Sequence, residues 1–111
     1  MSNLLSKPLE PDNEELVVQQ LAALAQSTRL NLFRELIKVC DCGDDSGLAA
    51  GELAKRMQLA PPTLSFHLKE LTRAGLVKSK KMGRSIIYSV DHVAIRSLID
   101  FMMEDCCTEQ P

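Results

Sequence analysis

The segment Gly51–Val77, GELAKRMQLAPPTLSFHLKELTRAGLV, decides how the rest of the chain is read. With the preceding alanine it opens as a short helix, Ala50–Met57, whose Leu53, Ala54 and Met57 face inward. Gln58 and Leu59 make a brief turn. Pro61 and Pro62 then suit the first turn of a following helix, where a missing N–H leaves nothing unsatisfied, and Gly75 supplies the residue that closes it. Leu64, Leu68 and Leu71 form the core face of that helix, while the opposite face carries Pro62, Phe66, Lys69 and Arg73, flanked by Thr63 and Ser65. A tight turn followed by a helix with small hydroxyls near its start and bases further along is the arrangement that enters a DNA major groove. Short side chains approach base edges there, and cations meet phosphates. A phenylalanine pointing away from the core is unusual. Beside these bases Phe66 reads as a contact to thymine methyls or sugar rather than as an incidental exposed apolar residue.

Downstream, Leu76–Lys81 and Ser85–Val90 are β-prone runs joined around Met82-Gly83-Arg84, a hairpin signal with a basic tip and a glycine where a positive φ is required. Such a hairpin lies beside the duplex as a wing. Asp91 caps a last helix to about Asp105, with Val93, Ile95, Leu98, Ile99, Phe101, Met102 and Met103 apolar around much of its circumference. A helix that broadly apolar in so small a domain needs a partner to cover it. Upstream, Glu14–Ala25 places Leu16, Val17, Leu21 and Leu24 on one apolar stripe. Ser27 reads as the N-cap of a second helix, along which Leu30, Phe33, Leu36, Ile37 and Cys40 recur at helical steps. Asp41–Gly47 is a loop, and residues 1–12, with Pro8 and Pro11, read as a disordered tail ahead of a single domain at 13–111. The expected fold class is mainly α with a small β-hairpin: a winged helix-turn-helix dimerising through its first and last helices.

The net charge of −2 argues weakly against nucleic acid until the positions of the charges are considered. Between Lys55 and Arg84 stand eight bases and one acid, a local +7, which leaves −9 for the remainder. An acidic body with one basic stretch is the footprint of a protein that offers a face to phosphate. The length of 111 residues fits one domain and leaves no room for a catalytic unit beside it. No apolar run approaches the ~20 residues of a membrane span, and the N-terminus lacks a secretory pattern, so the expected location is the cytoplasm, with no membrane partner. In that reducing compartment the four cysteines are thiols with packing, ligand or redox roles. A thiol reductase would want Cys-x-x-Cys beside a βαβ pattern, and neither is present; the chain is not expected to be an enzyme.

Three segments carry a family resemblance: LAQSTRLNLFREL (Leu24–Leu36), GELAKRMQLAPPTLSFHLKELTRAGLV (Gly51–Val77) and GRSIIYSV (Gly83–Val90). In these the chain resembles the ArsR/SmtB family of bacterial metal- and metalloid-sensing repressors, over roughly Leu21–Val90. The resemblance implies that Pro61, Pro62, Thr63, Ser65 and Phe66 belong to the groove-reading stretch and Arg84 to the wing. Lys69, Arg73, Lys80 and Lys81 join them as the bases of the same surface. Phe66 replaces a commonly polar residue, so the operator sequence does not carry over. His67, at the margin of the core face, reads as mainly structural. The implied partners are double-stranded operator DNA and a second copy of the chain.

What such a repressor senses depends here on its cysteines. The family's thiol site at the start of the short helix is absent, because Leu48–Leu53 contains no cysteine. The zinc site of other members uses paired Asp and His on the terminal helix; Asp91 and His92 are present, but no second pair stands at the distal spacing. What remains is Cys106-Cys107, in a Glu-Asp-Cys-Cys ending, and Cys40 with Cys42 after the second helix. The ending resembles a subgroup of arsenical-resistance repressors with thiol ligands at the close of the last helix. Adjacent cysteines rarely close into a disulfide but offer two thiolates to a soft ion. The inducer expected on this reading is As(III), Sb(III) or methylarsenite, with no cofactor needed for DNA binding. Either Cys106 and Cys107 suffice for a methylated arsenical, or Cys40 or Cys42 completes a three-thiolate site, within or between subunits. Cys40 also continues the Phe33, Leu36, Ile37 stripe and fits a packing role. The alternative within DNA binding is a redox or polysulfide sensor in which Cys40 or Cys42 pairs with Cys106 or Cys107.

Overall fold

The computed structural model describes residues 13–40 and 47–104. The N-terminal tail, most of the acidic loop, Cys42, Cys106 and Cys107 lie outside the described residues. The elements run α1 (Asn13–Leu24), α2 (Ser27–Lys38), β1 (Leu48–Ala49), α3 (Ala50–Met57), α4 (Pro61–Arg73), β2 (Val77–Met82), β3 (Ser85–Val90) and α5 (His92–Met103). The helices surround a core of leucines: Leu32, Leu36, Leu53, Leu64, Leu68, Leu71 and Leu76 are essentially sealed from solvent. Each contributes about 1.5–3 kcal/mol of transfer free energy.

The long middle segment folds as its residues direct. Pro61 and Pro62 occupy the first two positions of α4. Gly75, at φ +82°, ends it in a Schellman motif: its N–H donates to the Thr72 carbonyl at 2.9 Å, and the Leu76 N–H donates to that of Leu71 at 3.1 Å. Leu71 and Leu76, the apolar pair that accompanies such a motif, are both buried. Gln58 closes α3 with φ 55° and ψ 48°, a left-handed conformation that turns the chain sharply into α4. Met82 pairs with Ser85 around a two-residue turn in which Gly83 alone has a positive φ, +65°, the pattern of a type II′ hairpin.

Three expectations are corrected by packing. The cap of α2 is Gln26, not Ser27: the Gln26 side-chain oxygen accepts from the Arg29 N–H at 2.8 Å. On α2 the core takes Leu32, Phe33 and Leu36, whereas Leu30 and Ile37 stay exposed. On α1 the buried row is Val17, Gln20 and Ala23, and Leu16 and Leu21 are left facing out. The cap is a local hydrogen bond, whereas the two buried rows reflect a rotation of each helix against its neighbours that the apolar stripe alone did not specify.

The hairpin is also larger than its two strands. β1 pairs antiparallel with β3, giving a sheet in the order β1-β3-β2, with Leu48 opposite Tyr88 and Ala49 opposite Ile87. Gly47 permits this approach, because a Cβ there would collide with the Tyr88 carbonyl. The Asp91 side chain caps α5 by accepting from the Ala94 N–H at 3.1 Å, while the Asp91 N–H donates to the Leu76 carbonyl at 2.9 Å. The end of the sheet is thereby tied to the end of α4.

Candidate nucleic-acid interface

Helix α4 presents the face that its sequence requires. Leu64, His67, Leu68 and Leu71 are buried, while Pro61, Pro62, Thr63, Ser65, Phe66, Lys69 and Arg73 are all exposed. Pro62, Ser65, Phe66, Lys69 and Arg73 line a groove of about 730 Å³ whose far wall is Ser79 and Tyr88 of the sheet. The exposed helix and the wing therefore share one concave surface.

Strand alternation sorts the wing bases. Ser79 pairs with Tyr88 and Lys81 with Ile86, so these residues share the face that closes the groove. Lys78 and Lys80 lie on the other face, where Lys80 pairs with Ile87 and, with Met82 and Ser89, borders a smaller hollow. Arg84, at the hairpin tip, is exposed. The basic cluster is thus split by the pleat, with Lys81 on the α4 side and Lys80 on the reverse.

Ion pairing refines the charge reading further. Arg56 donates to Glu52 at 3.1 Å and reaches Glu35 of α2 at 3.4 Å, so it ties α3 to α2. Its hydrogen bond to the Glu52 carboxylate is the main cause of its raised pKa. Arg73 pairs with Glu70 at 3.1 Å. Among the described residues Lys69, Lys81 and Arg84 have no carboxylate in such contact, and they carry the undiminished charge of the surface.

Beneath the groove lies a buttress that the sequence reading did not foresee. The Arg29 Nε donates to the Ala23 carbonyl at 2.7 Å, and its Nη1 lies 3.3 Å from His67 Nδ1. One side chain thus joins the end of α1, the start of α2 and the middle of α4. His67 is buried, in keeping with a structural role, and its pKa is lowered chiefly by loss of solvent and then by the Arg29 charge. Its ring meets that of Phe66 edge-on, with centroids 5.3 Å apart and planes at 68°. The only hint in the sequence was the position of Arg29 inside the Ser-Thr-Arg-Leu helix opening.

Of the four cysteines only Cys40 is among the described residues. Its Sγ lies 3.3 Å from His92 Nε2 and 3.5 Å from Nδ1, placing the end of α2 against the first turn of α5. Among the described residues no three His, Cys, Asp or Glu side chains stand together as a metal site. Asp91, half of the zinc-type pair, is engaged as the α5 cap.

Helix, turn, exposed helix and cationic hairpin, arranged around one groove, define a winged helix-turn-helix. Residues 24–80 match the helix-turn-helix domain family. The transcriptional activator HlyU of Vibrio cholerae is 30% identical over 95 residues, covering 86% of this chain and 82% of that protein. The arsenical resistance operon repressor of Staphylococcus aureus is 33% identical over 79 residues, covering 71% and 69%. The solved structure of an ArsR-like transcriptional regulator from Rhodococcus sp. RHA1 superposes with a TM-score of 0.68 at 26% identity, covering 80% of this chain and 77% of that one. The chain belongs to the ArsR family of helix-turn-helix transcriptional regulators. Its relatives are regulators rather than enzymes, and no helix among its described residues is long and apolar enough to cross a membrane.

Proposed function

We propose that the chain is a dimeric repressor of an arsenic or antimony resistance operon, released from its operator by a trivalent metalloid held on cysteine thiolates. The observation that carries the DNA half of this reading is the groove shared by α4 and the sheet, lined by Ser65, Phe66 and Lys69, with Thr63 exposed on the same helix and Lys81 and Arg84 exposed on the wing; among the described residues Lys69, Lys81 and Arg84 form no ion pair. Pro61 and Pro62 open the helix toward base edges, and Arg73 and Lys80 contribute at the margins. Dimerisation is supported by the apolar side chains that α1 and α5 leave exposed. Leu16 and Leu21 of α1 and Ile99, Met102 and Met103 of α5 are each more than a third exposed, surface that a second copy of the chain would cover.

The metalloid half is supported by the S. aureus relative and by the position of α5. The helix spans 12 residues, about 18 Å. Cys40 meets its first turn, and Cys106 and Cys107 follow its last. The adjacent Cys106 and Cys107 offer two thiolates to a soft ion, and Cys40 or Cys42 is the candidate for a third. A ligand at the end of a helix that also forms the dimer face can alter the spacing of the two α4 helices. Coupling of about 1–3 kcal/mol, a factor of about 5–150 in affinity, is the usual range for such an effector.

The contact between Cys40 and His92 favours a second reading, a redox or polysulfide sensor, because it sets one thiol beside a polar ring, 3.3 Å from its Nε2, rather than in the leucine core. Titrating the reduced protein on labelled operator DNA with arsenite, methylarsenite, antimonite, zinc and polysulfide separates the readings. On the metalloid reading Cys106→Ser and Cys107→Ser still bind DNA but no longer leave it on addition of arsenicals. A double variant that leaves with the wild-type concentration dependence overturns it.

A further inference from the structure

The exposed row of α4 changes chemistry along its length. Pro62 and Phe66, one turn apart, are apolar; Lys69 and Arg73, one and two turns further on, are cationic. Phe66 is 55% exposed, although burying a side chain of that size is normally strongly favourable. Its ring stands edge-on against the buried His67, which Arg29 holds from below. The structure therefore offers an exposed aromatic surface at the middle of the outward face, between the hydroxyls of Thr63 and Ser65 and the two bases.

Resting on the DNA-binding reading above, we infer that Phe66 is the specificity-determining residue of the groove helix, and that it reads the 5-methyl group of a thymine in each half-site. In the major groove the thymine methyl is the one apolar feature on a base edge, and an aromatic carbon surface is its complement. Sugar contact fits less well. Backbone contacts fall to the groups at the ends and edges of a groove helix, where Lys69, Arg73 and the wing stand, whereas Phe66 lies centrally between them. Pro62, one turn earlier on the same row, widens the apolar surface without adding a hydrogen-bonding group that would favour another base. A polar side chain at position 66 would offer hydrogen bonds to base edges and would not single out a methyl.

The test begins with sites selected from random duplex DNA by the full-length chain and by Phe66→Ala and Phe66→Leu variants, each checked for a native melting transition. The wild type fixes one thymine per half-site, Phe66→Leu retains it in part, and Phe66→Ala does not. That thymine is then replaced by deoxyuridine, which removes only the methyl. Wild-type affinity falls about fourfold per half-site, the equivalent of about 0.8 kcal/mol for one buried methyl-sized group. The Phe66→Ala protein binds both duplexes equally. Equal wild-type binding to thymine and deoxyuridine duplexes, with affinity still weakened by Arg84→Ala, overturns the inference while leaving the DNA surface standing. Absence of any salt-dependent DNA binding overturns both.

Discussion

Replacing Arg29 with Met removes the polar fork while keeping most of the aliphatic volume. Two contacts go. The Ala23 carbonyl, near the end of α1, loses a charge-assisted donor at 2.7 Å, and His67 loses its polar neighbour at 3.3 Å. A hydrogen bond to a charged group is worth about 1.5–3 kcal/mol and a weaker one about 0.5–1.5. Arg29 is only partly buried, so water replaces some of this, and a net loss of about 2–3 kcal/mol is expected. Urea unfolding should show a lower midpoint with an unchanged slope. The same variant carries a pH signature. Burial, and after it the Arg29 charge, hold the His67 pKa below 6.5, while Glu70 acts in the opposite sense. Between the folded and unfolded pKa values the unfolded chain therefore binds more protons, so the contribution is complete above pH 6.5 and is lost as pH falls toward the folded value. Without Arg29 the charge part of that dependence disappears and the burial part remains. An NMR titration of His67 should accordingly move upward in Arg29→Met. Because α4 rests on this contact, operator affinity should fall further than stability alone explains. A variant within about 0.5 kcal/mol of wild type, with unchanged His67 titration and DNA affinity, would refute the buttress, since that is the scatter of neutral surface changes.

The wing and the dimer face yield further expectations. Arg84→Ala should weaken binding to every DNA sequence and reduce the slope of log affinity against log salt by about one, whereas Lys80→Ala, on the reverse face, should change it less; fluorescence anisotropy across a salt series compares them. Ile99→Asp or Met102→Asp should give folded monomers with lost operator binding in sedimentation and binding assays, because both side chains are exposed in the single chain. Leu98 is a poor probe of the same face, since it is buried within the protomer and a charge there would unfold it.

Much of this fold was written in local chemistry. The two prolines, the left-handed glycines at 75 and 83, and the capping Asp91 act through their own backbone geometry, so α4, the hairpin turn and the start of α5 could be placed from residue type alone. The outward face of α4 was legible for the same reason: a helix with Leu64, Leu68 and Leu71 on one side has only one other side to expose. What depends on the rotation of one element against another was not legible. Helical spacing put Leu30 rather than Leu32 in the row of α2, and it gave no sign that Gln20 of α1 would turn in. The two residues of β1 carry no periodicity, and only the bare backbone of Gly47 against Tyr88 explains their pairing. Strand register, which reverses every side chain with a shift of one residue, separated Lys81 from Lys80 within a run of bases that had looked uniform. The contacts of Arg29 with His67 and of Cys40 with His92 join residues 38 and 52 positions apart. A linear pattern records composition and spacing. Whether such distant side chains meet is decided when the helices close on a common core, because only then does each polar group have to find its partner.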